Sequence, residues 1–223
     1  MNVLIACEES QEVCKAFRAK GHNAYSCDIQ EPSGGHPEWH ILGDAVQAMM
    51  GGRIVTMDGK SHYIEEWDLL IAHPPCTYLS NAGARWYSLR QNSAEAVVKR
   101  MRKREEAIVF FMQCVLAPVE KICVENPIER MNAIYRKADQ IINPYYFAKD
   151  ENDTENYEKK RTGLWLKNLP LLTYNAPKPP EPKGFTGDGR AYYWSDSLYG
   201  PDKAKNRAKT FPGVAQAMAE QWG

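Results

Sequence analysis

Two short motifs place a thiol and a carboxyl group at the ends of predicted strands. His73-Pro74-Pro75-Cys76 ends an apolar run over residues 68–73, and Glu125-Asn126-Pro127 ends a second run over 121–125. Two consecutive prolines restrict the backbone, so the turn holds the thiol of Cys76 rigidly. A rigid, exposed thiol can act as a nucleophile, and a nearby Glu125 can act as a general acid toward the same substrate.

The start of the chain predicts the strand, helix and strand that open many nucleotide-binding proteins. Residues 3–6 form a short apolar run, 9–20 have apolar residues at helical spacing before Gly21, and 22–27 form a second run that ends at Asp28. Functional groups collect at the carboxyl ends of strands in open α/β sheets. We therefore expect Asp28, Cys76 and Glu125 to lie along one edge of the sheet.

The rest of the chain continues the alternation of strands and helices. The patterns predict strands at 40–44, 68–73, 121–125 and 162–166, a hairpin at 53–64, and helices at 93–116, 128–138 and 211–222. Such alternation predicts an α/β fold whose parallel sheet is covered by helices on both faces. Residues 169–196 are rich in Pro and Gly, which predicts an irregular, extended segment.

The composition limits the class of protein. The chain has 223 residues, of which 43% are hydrophobic and 25% charged, which excludes a collagen, a coiled coil and a fully disordered chain. Its length suits one domain, alone or with a small appended lobe. No apolar run reaches the roughly 20 residues of a membrane span, and the N-terminus lacks the basic start of a secretory signal. We therefore expect a cytoplasmic protein without a membrane partner.

The charge and cysteine content narrow the partners and the redox state. Lys+Arg and Asp+Glu both number 28, so the net charge argues neither for nor against nucleic-acid binding. The six cysteines occur in a chain that is long enough to bury a core and lacks an export signal, so we expect reduced thiols. No C-x-x-C pair is present, and Cys27, His36 and His40 make at most half of a zinc site, so we expect no metal.

The motifs together resemble those of the DNA cytosine-5 methyltransferase family, in the short form common in phages and prophages. That family carries a Pro-Pro-Cys nucleophile and a Glu-Asn-Val motif at the end of the next strand, which Pro74-Pro75-Cys76 and Glu125-Asn126-Pro127 resemble. Its cofactor segment resembles residues 4–10 with Asp28 and Gly43-Asp44, and its final motif resembles residues 211–217. The resemblance covers about residues 1–130 and the C-terminal turn and helix, and it covers 140–205 poorly.

The resemblance implies a Rossmann-like sheet of an S-adenosylmethionine-dependent methyltransferase, with helices on both faces and a small irregular C-terminal lobe. The implied division is a catalytic, cofactor-binding domain over 1–166, a segment like a target-recognition region over 167–208, and a returning turn and helix over 209–223. In the implied mechanism, Cys76 adds to C6 of cytosine, Glu125 protonates N3, and Arg161, from the loosely matching Lys159-Lys160-Arg161, holds O2. The implied cofactor-binding residues are Ala6, Cys7, Glu8, Glu9, Ser10, Asp28, Ile29, Asp44 and Pro74.

The predicted partner is DNA. Residues 159–209 contain 11 basic residues against four acidic ones, interleaved with seven aromatic residues. Basic side chains suit phosphate contacts, and aromatic ones suit base stacking. The predicted substrate-binding residues are Ser80 and Asn126 near the nucleophile, and Lys203, Lys205 and Arg207 in this region. An ordinary lysine-rich surface over an aromatic cluster is the alternative, and the basic residues over 99–104 predict a solvated helix face.

Two other functions stay open. The Pro-Pro turn also resembles that of amino-methyltransferases, whose motif has Asp or Asn before the prolines and an aromatic residue after them, where this chain has His73 and Cys76. The second open function is that of a nucleic-acid-binding relative without catalytic activity. It is open because Cys7-Glu8-Glu9-Ser10 replaces the family's glycine-rich first loop. The presence of both Cys76 and Glu125 favours the enzyme.

Overall fold

The computed structural model describes residues 1–175, 177–193, 196 and 209–223, apart from the side chain of Ala82. The strands are β1 (Asn2–Ala6), β2 (Asn23–Asp28), β3 (His40–Leu42), β4 (Gly52–Val55), β5 (Ser61–Ile64), β6 (Leu69–Ala72), β7 (Lys121–Asn126), β8 (Gln140–Ile142), β9 (Thr162–Lys167), β10 (Gly184–Phe185) and β11 (Ala191–Tyr192). The helices are α1 (Glu12–Ala19), α2 (Ala45–Met49), α3 (Ala94–Val115), α4 (Glu129–Ile134) and α5 (Pro212–Trp222), with 3₁₀ helices at Pro37–Trp39, Asn81–Tyr87 and Pro144–Phe147.

Seven strands form one sheet in the order β3-β2-β1-β6-β7-β9-β8. The five strands from β3 to β7 in this order are parallel, with β2 on one side of β1 and β6 on the other. Nearly every residue of β1 and β6 is buried and apolar, as expected of parallel strands that are covered on both faces. The prediction of an α/β fold with a mostly parallel sheet is confirmed.

Strand β9 confirms the predicted strand over 162–166, but it runs antiparallel to both β7 and β8. The sequence analysis assigned no direction to this strand. The connection from β8 to β9 contains a short 3₁₀ helix and turns, but no helix that crosses back over the sheet. The chain therefore re-enters the sheet at the edge where the parallel strands end, and β9 has to run in the opposite direction.

Helices cover both faces of the sheet, as predicted. On one face, α1 and α5 pack through Phe17, Met218 and Trp222 in a single buried cluster. On the other face, α2 and α3 pack through residues such as Met49 and Phe111. The burial of these apolar side chains at roughly 25 cal/mol per Å² is the main term that stabilises the sheet and its strand ends.

Helix α3 is buried over only part of its length. Ser93 caps its start by accepting a hydrogen bond from the backbone N–H of Ala96 at 3.2 Å. The helical spacing also predicts Val98 and Met101 on the buried face, but they are 48% and 42% exposed. That detail is wrong because the first half of α3 packs against the 3₁₀ helix Asn81–Tyr87 through Arg100 and Arg104, while the residues that join the core, such as Ile108 and Phe111, lie in its second half.

Two smaller hairpins lie outside the main sheet. The predicted hairpin is confirmed as β4 and β5, and Gly59 in its turn has a φ of +82°, which suits glycine. The described residues between β9 and α5 contain the two-residue strands β10 and β11 and otherwise mainly turns and irregular backbone. In the described part of the chain, no helix combines the length and the apolar character that a membrane span requires.

Candidate functional site

The register of the parallel strands lines up their carboxyl ends. Ala6 of β1 pairs with Cys27 of β2 and with Ala72 of β6, and Ala72 also pairs with Val124 of β7. The residues that follow these positions form one row across four strands: Asp28, Cys7, His73 and Glu125. This edge, next to the point where the strand order reverses, is where open α/β sheets bind ligands.

The turn after β6 presents Cys76 at this edge, where the residue is exposed. Its carbonyl oxygen accepts hydrogen bonds from the backbone N–H groups of Leu79 and Ser80, at 3.0 and 2.9 Å, so a tight turn follows the thiol. The side-chain amide of Asn126 donates to the carbonyl oxygen of Pro74 at 2.6 Å. Asn126 is only 1% exposed, so this bond fixes the Pro-Pro turn to the end of β7.

Glu125 and His73 form a hydrogen-bonded pair at the ends of β7 and β6. Nδ1 of His73 lies 3.2 Å from Oε2 of Glu125. Burial would raise the pKa of Glu125, but the hydrogen bond and charge of His73, with the charge of Lys160, outweigh it and hold that pKa below its ordinary value. Glu125 is therefore ionised near neutral pH, and the Nδ1–H of His73 is the donor.

The antiparallel direction of β9 brings its first residues to the same edge. The Thr162 hydroxyl, which donates to the carbonyl oxygen of Lys160 at 3.4 Å, and the charge of the Lys160 ammonium both help to lower the pKa of Glu125. Arg161, the residue implied by the resemblance, is exposed and does not line this cleft. The cleft is lined by Glu125, Ile142, Pro144, Lys160, Thr162, Lys209, Thr210, Phe211, Val214 and Met218. Lys160 and Thr162 therefore face the cleft, whereas Arg161 between them does not.

The C-terminal segment returns to this cleft ahead of α5. The Lys160 ammonium lies 5.8 Å from the ring of Phe211. Gly213 allows the close approach, because a Cβ at this position would lie 2.8 Å from the carbonyl oxygen of Phe147. The backbone N–H of Gly213 also donates to Oδ1 of Asn156 at 2.6 Å, which attaches the start of α5 to the segment that precedes β9.

The side chain of Glu8 turns inward, toward the start of α1. The backbone N–H groups of Val13 and Cys14 donate to its carboxylate at 2.6 and 3.2 Å. Glu8 is only 4% exposed, and burial raises its pKa from 4.5 to about 7, although the charge of His73 and the two backbone donors oppose the rise. Glu8 therefore stabilises α1 and presents no carboxylate to a ligand in the cleft.

The loop from β1 to α1 adopts left-handed backbone where many nucleotide-binding loops use glycine. Cys7 and Gln11 have φ values of 61° and 60°. Such conformations are unfavourable for residues with a Cβ and are often found at functional sites. The buried side chain of Gln11 compensates by bonding to both backbone groups of His36, at 2.9 and 3.1 Å, while the backbone N–H of Ser33 donates to the carbonyl oxygen of Glu9. Ser10, beside them, is buried.

The ends of β2 and β3 surround Cys7 with acidic groups. Burial raises the pKa of the Cys7 thiol, and the nearby carboxylates of Asp28 and Asp44 raise it further. Asp28 is half-buried, and its neighbour Ile29 is 81% exposed. Asp44 is exposed and caps α2 by accepting from the backbone N–H of Val46 at 2.9 Å. Asp28 and Asp44 therefore converge on the β1 end of the edge, while Glu125 and Cys76 occupy the other end.

Sequence reasoning overlooked two groups in this site. His73 directly precedes the Pro-Pro turn, and Lys160 belongs to the run Lys159-Lys160-Arg161, in which the resemblance implies a role only for Arg161. The three predicted DNA contacts Lys203, Lys205 and Arg207 lie outside the described residues. No group of three metal-binding side chains occurs among the described residues, and both ring nitrogens of His40 are engaged, by Ser26 and by the carbonyl of Gln30. No model of a known protein family matches the chain, and no curated protein sequence matches it.

Proposed function

We propose that the protein transfers a methyl group from S-adenosylmethionine to C5 of cytosine in DNA, through a covalent adduct at Cys76. The observation that carries this proposal is the hydrogen bond from Asn126 to Pro74. It fixes an exposed thiol beside the strand end that carries Glu125, so a nucleophile and an acid–base group can act on one substrate.

The strand order supports a Rossmann-like, methyltransferase-type sheet. Numbered by their order in the chain, the five parallel strands have the order 3-2-1-4-5, which is the order of the dinucleotide-binding fold. In that fold the ligand binds where the order reverses, between β1 and β6. Cys7 and His73 follow these two strands, and they adjoin the residues proposed here for the cofactor and for the substrate.

The residues at the β1 end fit S-adenosylmethionine. The carboxylate of Asp28 is half-buried at the end of β2, where it can accept hydrogen bonds from two ribose hydroxyls. The exposed side chain of Ile29 offers an apolar surface to a flat base, and Asp44 offers an acceptor to its amino group. Backbone groups of the β1–α1 loop and of Pro74 complete the proposed binding surface. Bound S-adenosylmethionine would supply the electrophilic methyl group.

The residues at the other end fit the cytosine chemistry. The Cys76 thiolate adds to C6 of the base, a proton is delivered to N3, and the electron pair of the C5–C6 bond makes C5 nucleophilic. After C5 has gained the methyl group, it loses its proton to a base, and the C6–S bond breaks to release the thiolate. The Glu125 carboxylate can take the proton that the Cys76 thiol loses and hold it at N3, and the hydrogen bond from Nδ1 of His73, at 3.2 Å, orients this carboxylate.

Lys160 supports the binding of the base. Its ammonium lies near enough to lower the pKa of Glu125, and it lines the same cleft. A cation there can stabilise the negative charge that develops at O2 during addition. This assigns to Lys160 the role that the resemblance implies for Arg161, which is exposed.

A trapping experiment with 5-fluorocytosine tests the proposal. Fluorine at C5 cannot leave as a cation, so the methylated adduct persists as a thioether between DNA and protein. We expect a denaturation-resistant, S-adenosylmethionine-dependent complex in the wild-type protein. Cys76→Ser should lose it completely, and Glu125→Gln should form it much more slowly, since an amide cannot hand a proton to N3.

Cys114→Ala is the matched control, because Cys114 lies on the buried side of α3 and its loss leaves Cys76 in place. A complex that persists in Cys76→Ser would contradict the assignment of the nucleophile. Absence of a complex with any cytosine-containing DNA, despite binding of S-adenosylmethionine, would favour the catalytically silent relative. Formation of N4-methylcytosine or N6-methyladenine would favour amino methylation.

A further inference from the structure

A solvent-open groove lies between the first half of α3 and the 3₁₀ helix that follows the Cys76 turn. It has about 600 Å³ of empty volume. The residues that line it are Tyr78, Trp86, Asn92, Ala96, Lys99, Arg100 and Lys103. All are polar, basic or aromatic except Ala96, so the groove is suited to a charged ligand with flat groups.

The wall formed by α3 is strongly basic. Five of the six residues from Lys99 to Arg104 are Lys or Arg, and the next carboxylates along the helix are Glu105 and Glu106. Lys99, Arg102 and Lys103 are exposed. Only Lys103 of these pairs with a carboxylate of the described residues, Glu106 at 2.8 Å, so most of this charge is available to an anionic ligand.

Arg100 fixes this wall to the loop that carries the nucleophile. Its guanidinium lies 5.0 Å from the ring of Tyr78 and 5.1 Å from that of Tyr87, and it donates to the carbonyl oxygen of Thr77. Gly83 leaves the space that this guanidinium occupies. Thr77 and Tyr78 directly follow Cys76 in the chain, so the groove borders the loop that carries the thiol.

The opposite wall offers an exposed aromatic face. Trp86 is 46% exposed, and the guanidinium of Arg85 lies 4.7 Å from its ring. An indole face can stack only on a base whose own face is uncovered, and duplex DNA covers both faces of each base. A basic wall and an aromatic wall together are the features of grooves that bind single-stranded nucleic acid.

We infer that this groove binds a single DNA strand, with its phosphates along Lys99 and Lys103 and an unpaired base on Trp86. The inference rests on the proposed function for the choice of DNA as the nucleic acid. Enzymes that act on a base act on single strands or remove the base from the stack, so a strand in this groove would lead the target cytosine to Cys76. The basic residues over 99–104, which the sequence predicts as a solvated helix face, would then bind the phosphates of this strand.

Binding of a labelled single-stranded oligonucleotide, followed by fluorescence anisotropy at several salt concentrations, tests the inference. In Lys99→Gln with Lys103→Gln, the loss of two phosphate contacts should weaken binding and reduce the slope of log K against log salt by about 1.4. Trp86→Ala should weaken binding about 5- to 150-fold with an unchanged slope, because stacking releases no counterions. Trp86→Phe should restore part of the loss.

Lys15→Gln with Lys20→Gln is the matched control, because it removes the same charge from α1 and from the residue that follows it, on the other face of the sheet. All measurements use the Cys76→Ser background without S-adenosylmethionine, so they do not depend on methyl transfer. Equal salt slopes in the two double variants, tighter binding of duplex than of single strands, or wild-type affinity in Trp86→Ala would overturn the inference. If these variants bind as expected but the wild-type protein forms no adduct with DNA that contains 5-fluorocytosine, the proposed function is refuted and the groove assignment stands.

Discussion

The buried carboxyl group of Glu8 should make the stability of the protein fall as the pH rises through neutrality. Glu8 is 4% exposed, and burial raises its pKa from 4.5 to about 7. His73 and the two backbone donors at the start of α1 favour the ionised form, but they do not overcome the loss of hydration. The unfolded chain therefore loses this proton at a lower pH than the folded chain does.

The magnitude follows from the two pKa values. A tenfold change in an ionisation constant corresponds to about 1.4 kcal/mol, so the rise from 4.5 to about 7 corresponds to about 3 kcal/mol of unfolding free energy. A raised pKa stabilises the fold fully below the unfolded value and loses that stabilisation as the pH passes the folded value. Between about pH 5 and about pH 8, the contribution should fall by roughly 2 to 3 kcal/mol.

Urea unfolding of wild-type protein and Glu8→Gln at these two pH values measures the effect. Glutamine does not ionise, and its carbonyl oxygen can still accept from the backbone N–H of Val13. The variant should therefore gain roughly 2 to 3 kcal/mol relative to wild type on going from the acidic to the basic condition. Glu12→Gln, which changes a half-buried glutamate on the same helix, is the control and should track wild type.

A difference between wild type and Glu8→Gln that stays constant with pH would refute this reasoning. A difference that grows in favour of wild type at the higher pH would show that the backbone donors and His73 outweigh burial. Either result would mean that Glu8 is already ionised at about pH 5 and acts as a charged cap of α1.

Two further predictions concern the ends of the strand row. Asp28→Ala should weaken S-adenosylmethionine binding about 10- to 150-fold in titration calorimetry, because a charge-assisted hydrogen bond contributes about 1.5–3 kcal/mol; an unchanged affinity would remove Asp28 from the cofactor site. Asn126→Ala should lower the urea-unfolding free energy by about 1–3 kcal/mol, because it leaves the carbonyl of Pro74 unpaired. The same variant should slow the adduct at Cys76 while keeping wild-type affinity for S-adenosylmethionine, and unaltered trapping rates would show that the Pro-Pro turn is rigid without Asn126.

Local patterns in the sequence were sufficient to predict the strands whose ends form the site. β1, β6 and β7 are apolar runs that end in turn or proline residues, and the observed strands differ from the predicted ones by one or two residues. Buried parallel strands need such runs, and alternation with helices makes them parallel, so a shared edge for Asp28, Cys76 and Glu125 followed from the order of elements alone. These properties depend on residues close together in the chain.

The contacts that give the site its chemistry depended on the tertiary structure. The pairs His73–Glu125 and Asn126–Pro74 each join residues 52 positions apart. The direction of β9, which brings Lys160 rather than Arg161 to Glu125, depended on the absence of a crossing helix in the preceding connection. Likewise, helical spacing shows which residues of α3 share a face. The elements that pack on a face decide whether it is buried. Over the first half of α3, that element is the 3₁₀ helix Asn81–Tyr87, which follows the Cys76 turn.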